Sequence, residues 1–254
     1  MANVGVADPE PRGAVVANQY EVLNARYEEV KRIPIGLAET ATVLAAVGDP
    51  ARRSVLDVGC GTGFYPRLFR SAGASRVFGV DAARAMVGYA QRQEERDPLG
   101  ISYEVHDALA LPVIGAFDVV TAVWLIGYAP GAAALDTMLA GLAANVRAGG
   151  RLVLLHPNPE ADWAVLADYA RYGLTVTQHD VVDGRTRTTV HVATTPPFEF
   201  ESFFWPPGVV EAALARAGLS TIHRQAVVTP PGDEDFWRPL RENPTFAVLT
   251  ATRP

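Results

Sequence analysis

The chain has 254 residues, a formal net charge of −6 and a pI near 5.4, with 49% hydrophobic and 20% charged residues. That balance describes a globular chain with a sizeable core, and it argues against a nucleic-acid partner as the main task. No apolar run reaches a membrane span, the first residues lack the basic head and apolar block of a secretory signal, and the single cysteine, Cys60, rules out an intrachain disulfide; a cytoplasmic protein with no membrane partner is expected.

Residues 1–48 read as an N-terminal helical cap. Its first dozen residues read as an arm, and a helical pattern from about Val15 to Val47 is broken at "RIPIG", where Pro34 should end one helix or start the next. An alternation follows. "SVLDVG" reads as a buried strand and leads into a helix through "FYPRLFRSAG"; "RVFGVD" leads into a helix through "ARAMVGYAQRQEE". "ISYEVHD" and "FDVVTAVW" are a third and a fourth strand. An Ala/Leu helix from about Ala132 to Val146 ends at Gly149-Gly150, and "RLVLLHP" is a fifth strand. Strands alternating with helices predict right-handed βαβ units, hence a doubly wound, mostly parallel α/β sheet covered on both faces.

After Pro157 the texture changes. "LTVTQHDVVDGRTRTTVHV" carries strand patterns on either side of Asp183-Gly184, a two-residue hairpin signal, and "PPFEFESFFWPP" follows. Residues 157–206 therefore read as a β-rich insertion. A helix around "VVEAALARAG" and the strand patterns "TIHRQAVV" and "TFAVLTATR" fill 207–254, so the chain reads as one α/β domain.

"LDVGCGTGF" places Gly59, Gly61 and Gly63 directly after the first strand. A strand, a glycine turn and a helix N-terminus make a ligand site, because the helix end offers free N–H groups. The spacing departs from the dinucleotide G-x-G-x-x-G pattern, since Phe64 stands where the third glycine belongs. Three acids, Asp57, Asp81 and Asp107, fall at successive strand ends, all on the carboxyl edge where open α/β sheets bind ligands.

Residues 54–156 resemble the S-adenosylmethionine-binding core of class I methyltransferases. The resemblance implies a seven-stranded Rossmann-like sheet whose last strand is antiparallel, with S-adenosylmethionine as cofactor. It places Asp57 and the glycines against the cofactor's methionine end, Asp81 on the ribose hydroxyls and Asp107 at the adenine amine. Ala82, Met86, Ala108 and Val123 are the flanking cofactor contacts it implies, and Tyr20 and Tyr27 would cap the cofactor, Tyr20 beside the reacting methyl. "YEVLNARYEEVKRIP", "HPNPEAD" and "FEFESFFWPPGVVEAALARAGL" further resemble toxoflavin-synthase-like small-molecule methyltransferases. That implies methyl transfer to a nitrogen or carbon of a small heteroaromatic acceptor in natural-product metabolism, with residues 157–206 covering the substrate.

For the acceptor, the residues expected are Trp124 and Tyr128 after the fourth strand, His156 and Asn158 at the end of the fifth, and Phe203 and Trp205 in the insertion. His156 is the candidate proton acceptor. Cys60 reads as a small residue that fits the turn, and no metal-ligand spacing occurs. Other readings are O-methylation of a phenol or carboxylate, a non-catalytic cofactor-binding scaffold and a nicotinamide-dependent reductase; the last lacks the glycine spacing and a Tyr-x-x-x-Lys pattern. Monomer and homodimer both stay open.

Overall fold

Val55, Leu56 and Val58 of β1 (Ser54–Val58) are buried on both faces, as the central strand of a covered parallel sheet requires. In a computed structural model, which describes residues 28–162 and 169–254, β1 lies parallel between β2 (Arg76–Asp81) and β4 (Phe117–Val123). β3 (Ile101–Val105) joins β2, and β5 (Val146–Pro157) joins β4, again in parallel. β10 (Phe246–Thr252) runs antiparallel to β5 and to β9 (Ser220–Gln225), so the seven strands follow the order 3-2-1-4-5-10-9. The strand order reverses between β1 and β4, and a crevice opens there at the carboxyl ends.

Each face of the sheet carries its own core. Ile35 and Val43 of α1 (Pro34–Val47), Phe69 of α2 (Phe64–Ser71) and Val87 of α3 (Arg84–Arg96) pack on one side with Val153 and Leu155 of β5. Leu135 and Leu139 of α4 (Ala132–Asn145) and Leu214 of α5 (Val209–Arg216) pack on the other, with Leu152 and Leu154. Alternate residues of β5 thus face opposite cores.

A second sheet of three antiparallel strands is built from β6 (Leu174–Val182), β7 (Arg185–Val192) and β8 (Phe198–Phe204). Asp183 and Gly184 turn the first hairpin with φ of 52° and 75°, the left-handed pair that matches strand twist.

Two details differ from the expected elements. Gly149-Gly150 does not terminate α4; the helix ends at Asn145, and the glycines lie within β5, where the six residues from Val146 to Arg151 oppose the three from Phe117 to Val119. Asn145 stops the helix by accepting from the Ile114 N–H and donating to Pro112 and Gly141 carbonyls. The second is an unforeseen helix, α6 (Glu234–Glu242), with Pro239 inside it. Asp233 caps it by accepting from the Phe236 N–H, and the Tyr169 and Tyr172 hydroxyls donate to its Pro239 and Phe236 carbonyls. Tertiary hydrogen bonds and the buried Trp237 and Leu240 outweigh the cost of the proline.

Candidate functional site

The turn after β1 is pinned by its neighbour strand. The N–H groups of Gly59 and Cys60 both donate to the Val80 carbonyl, at 2.8 and 2.9 Å. The Asp81 carboxylate then reaches across, accepting from the Gly61 N–H at 2.8 Å and from the Ala83 N–H at 2.9 Å. Burial pushes the Asp81 carboxyl above its usual range, and these amide donors pull it back.

The glycines divide into two jobs. Gly63 has φ +85° and caps α2; a Cβ there would stand 2.6 Å from the Tyr103 hydroxyl, so its absence permits packing against β3. Gly61 has φ +53°, and no atom lies within 4 Å of the point a Cβ would occupy, so its missing side chain opens space toward the crevice.

The crevice is a cleft of about 150 Å³. Gly59, Gly61, Asp81, Ala82 and Met86 form one wall, and Asp107, Ala108, Val123, Trp124 and Tyr128 another. Asp107 also caps a short turn by accepting from the Leu109 N–H at 2.9 Å. Ala83, His106 and Leu125 line the cleft as well, although no sequence signal marks them out except their place, one residue beside an expected contact.

Asp57 and Gly63 do not line this cleft. The strand alternation turns Asp57 into the core, 1% exposed, where it takes a hydrogen bond from the Thr121 hydroxyl. Burial raises its carboxyl to about 7, against the Thr121 bond and the Lys31 charge, which lower it. Cys60 is buried too, and desolvation pushes its thiol up, away from nucleophilic use.

A second cavity, of about 60 Å³, lies between the two sheets. Val176, Val190, Phe200 and Phe204 of the three-stranded sheet give it an apolar roof, and Lys31, Glu39 and Trp124 form its polar end. Trp124 lines both cavities and is held at φ +59°, a strained conformation for a non-glycine residue. Its indole N–H donates to Glu39 Oε2 at 3.1 Å, and Lys31 Nζ approaches the same oxygen at 3.4 Å.

The expected acceptor residues separate. Trp124 and Tyr128 line the cleft, but four others do not. His156 is 1% exposed and pairs with Ala247 in the sheet, on the face of Leu152 and Leu154; the second cavity meets the opposite face through Pro157. Burial depresses its imidazole to about 4, so it is neutral. Asn158 is engaged in turn structure, donating to the Pro244 carbonyl and accepting from Glu160 N–H and Arg224. Phe203 points away from the cavity because Phe200, Ser202 and Phe204 take the inner face of β8. It stacks instead under the Arg185 guanidinium at 4.2 Å. Trp205 is buried, its indole N–H donating to the Ile126 carbonyl at 2.8 Å. Tyr20 and Tyr27 lie outside the described residues.

A Rossmann-like sheet with a glycine turn, an acid at the end of β2 and a cleft at the switch point is the arrangement of class I S-adenosylmethionine-dependent methyltransferases. Residues 55–150 match the family model described as a methyltransferase domain. Ribosomal protein L11 methyltransferase of Burkholderia ambifaria (strain MC40-6) is 36% identical over 120 residues, 47% of this chain and 37% of that enzyme. The chain therefore spans little more than a third of the length of the curated relatives it matches. Among solved structures, an S-adenosylmethionine dependent methyltransferase from Mesorhizobium loti superposes with a TM-score of 0.61 at 20% identity, over 86% of this chain and 99% of that one. Magnesium protoporphyrin IX methyltransferase from Synechocystis PCC 6803, with bound SAH, gives 0.61 at 17% identity, over 95% and 100% of the two chains. No helix among the described residues is long and apolar enough to cross a membrane, and no cluster of metal-ligating side chains occurs among them.

Proposed function

We propose that this protein transfers the methyl group of S-adenosylmethionine to a nitrogen or carbon of a small heteroaromatic acceptor. The observation that carries the reading is Trp124, which lines both the cleft beside Asp81 and a small, mostly apolar cavity. The residues present suit the cofactor: Asp81 offers a carboxylate for a vicinal diol, and Gly61 leaves room where a side chain would intrude. When bound, the cofactor supplies an electrophilic methyl on a sulfonium.

The protein's part is chiefly positioning. Asp81 and the glycine turn hold one reactant, and the roof of β6–β8 holds the other while excluding water. Fixing both in line is worth about 7–11 kcal/mol of barrier. Flat apolar walls such as Phe200 and Phe204 suit an aromatic ring. The Burkholderia relatives act by name on ribosomal protein L11, but a small, mostly apolar cavity of about 60 Å³ suits a small ring better than a folded protein surface.

The test is S-adenosylhomocysteine release with S-adenosylmethionine and a panel of small N-heteroaromatics, with ribosomal protein L11 as the rival acceptor. Turnover with a heteroaromatic supports the reading. Turnover with the protein alone, or none with the panel while the cofactor binds, overturns it.

A further inference from the structure

Two charged residues, both buried, meet in the wall of the second cavity. Lys31 is 4% exposed and Glu39 2%, and both line the cavity. An ion pair so deep in apolar surroundings is a poor source of stability, because the desolvation of two charges offsets their attraction. Such a pair is more readily explained by a task.

The geometry leaves one atom for that task. Lys31 Nζ and the Trp124 indole N–H both converge on Glu39 Oε2, at 3.4 and 3.1 Å. Glu39 Oε1 receives no hydrogen bond from the described residues. Lys31 is further occupied by the Tyr65 ring, whose centroid lies 4.9 Å from its ammonium. The carboxylate is thus clamped by one oxygen, and Glu39 lines the cavity beside Trp124, the residue that borders both cavities.

We infer that Glu39 is the acceptor-recognising group of this site: its Oε1, which takes no hydrogen bond from the described residues, receives one from a ring N–H of the acceptor and accepts that proton during transfer. The acceptor class is an N–H azole, rather than an anionic ring or one without a donor. The inference rests on the small-acceptor reading above. The balance is simple. A ring lone pair forms the new bond to the methyl carbon, the electrons of the sulfur–methyl bond return to sulfur, and the ring N–H proton passes to Glu39. Lys31 and Trp124 are positioning residues, which keep the carboxylate's other oxygen fixed. Ser202 and Thr245, the neutral polar members of the cavity wall, can orient the ring and carry no charge to compete.

The test is calorimetry on the full chain loaded with S-adenosylhomocysteine, using benzimidazole and 1-methylbenzimidazole, which differ by one N–H. A hydrogen bond to a charged group predicts that benzimidazole binds at least about tenfold more tightly. Glu39→Gln keeps a neutral acceptor and should retain only part of the preference. The double variant Lys31→Met/Glu39→Leu leaves no buried charge unpaired, and it should abolish the preference while keeping the wild-type affinity for S-adenosylhomocysteine and a cooperative melt. Equal affinities in the wild type, or a preference that survives the double variant, overturns the role of Glu39 and leaves the small-acceptor reading standing. Failure of both probes to bind a chain that still takes S-adenosylhomocysteine overturns that reading, and the Glu39 proposal with it.

Discussion

Asp81 Oδ2 accepts the Gly61 N–H at 2.8 Å, so the acid at the end of β2 and the glycine turn after β1 form one rigid unit. The other oxygen is tied to the Ala83 N–H at 2.9 Å. A carboxylate fixed at both oxygens by backbone donors still has lone pairs to offer the two hydroxyls of a ribose. Asp81→Ala is expected to weaken S-adenosylmethionine binding by about 1.5–3 kcal/mol, the worth of hydrogen bonds to a charged group. Calorimetry on the folded variant checks it, and unchanged affinity would remove Asp81 from the cofactor site.

Gly61 supplies a steric counterpart. A Cβ there meets nothing within 4 Å, and Gly61 lines the cleft proposed to hold the cofactor. Gly61→Val should abolish cofactor binding, and the φ of +53° adds strain of about 1–3 kcal/mol that lowers the melting temperature without making the transition uncooperative. A variant that binds cofactor normally would show that the glycine serves the turn alone.

The parts of the fold visible in the sequence are those where a local pattern and a global demand agree. Of the five parallel strands, β1, β2 and β4 are buried runs, β5 is buried from Leu152 on and β3 alternates, and the glycine turn with its following acids marks the carboxyl edge by spacing alone. The acceptor side is less legible because its signals are long-range. A place at a strand end suggests that His156 faces the acceptor, but only the sheet shows which face its parity selects. The same period of two exchanges Phe203 for Phe200 and Phe204. Lys31 and Glu39 are single charges eight residues apart, indistinguishable in sequence from solvated helix residues until β6–β8 cover them. Pro239 hides α6, since the tyrosine hydroxyls that hold that helix come from residues 70 and 64 positions away.

Asp57 makes a prediction about stability and pH. Its carboxyl is raised from 3.8 to about 7 chiefly by burial. Between those values the folded chain holds a proton that the unfolded chain has released, so this group's contribution to stability falls as pH rises from about 4 to about 7. Asp57→Asn keeps an oxygen for the Thr121 hydroxyl and removes the ionisation. The variant should gain on the order of 2 kcal/mol relative to wild type at pH 8, and little at pH 4.5, given about 1.4 kcal/mol per pKa unit and partial relaxation around the charge. Melting temperatures of both proteins across pH 4.5–8 measure it. A constant difference would mean the carboxyl ionises normally.

Arg185 joins the second sheet to the turn that borders the cleft. It is buried, donates to the Gly127 carbonyl at 3.0 Å and lies over the Phe203 and Trp205 rings. Gly127 belongs to the short helical turn Ile126–Tyr128, whose Tyr128 lines the cleft. Arg185→Met keeps much of the stem's packing but leaves that carbonyl without its donor, at a cost of about 1–3 kcal/mol. Because the roof then loses its tie, the acceptor KM should rise more than kcat falls. A loss confined to kcat would place the damage at the reacting atoms instead.

His156 gives the sharpest contrast between sequence and structure. At a strand end beside the expected acceptor it has the place of a base, and a base removed by His156→Ala would lower kcat about 100-fold or more. The structure turns it into the opposite core, neutral, with its Nε2 unpartnered among the described residues and its imidazole depressed from 6.5 to about 4, first by burial and further by Arg224. A histidine held neutral in the fold takes up a proton in the unfolded chain below pH 6.5, so its contribution to stability is lost as pH falls from about 6.5 toward 4. This slope is opposite to that of Asp57, and the wild-type curve contains both; each variant, compared with wild type, isolates its own. His156→Leu replaces the ring by an apolar side chain of similar bulk and should recover up to about 3 kcal/mol at pH 4.5 relative to its difference at pH 8. At pH 8 the variant should keep its cofactor affinity and a kcat within about threefold of wild type. A hundredfold fall in kcat, with no change in the pH dependence of melting, would return His156 to the active site.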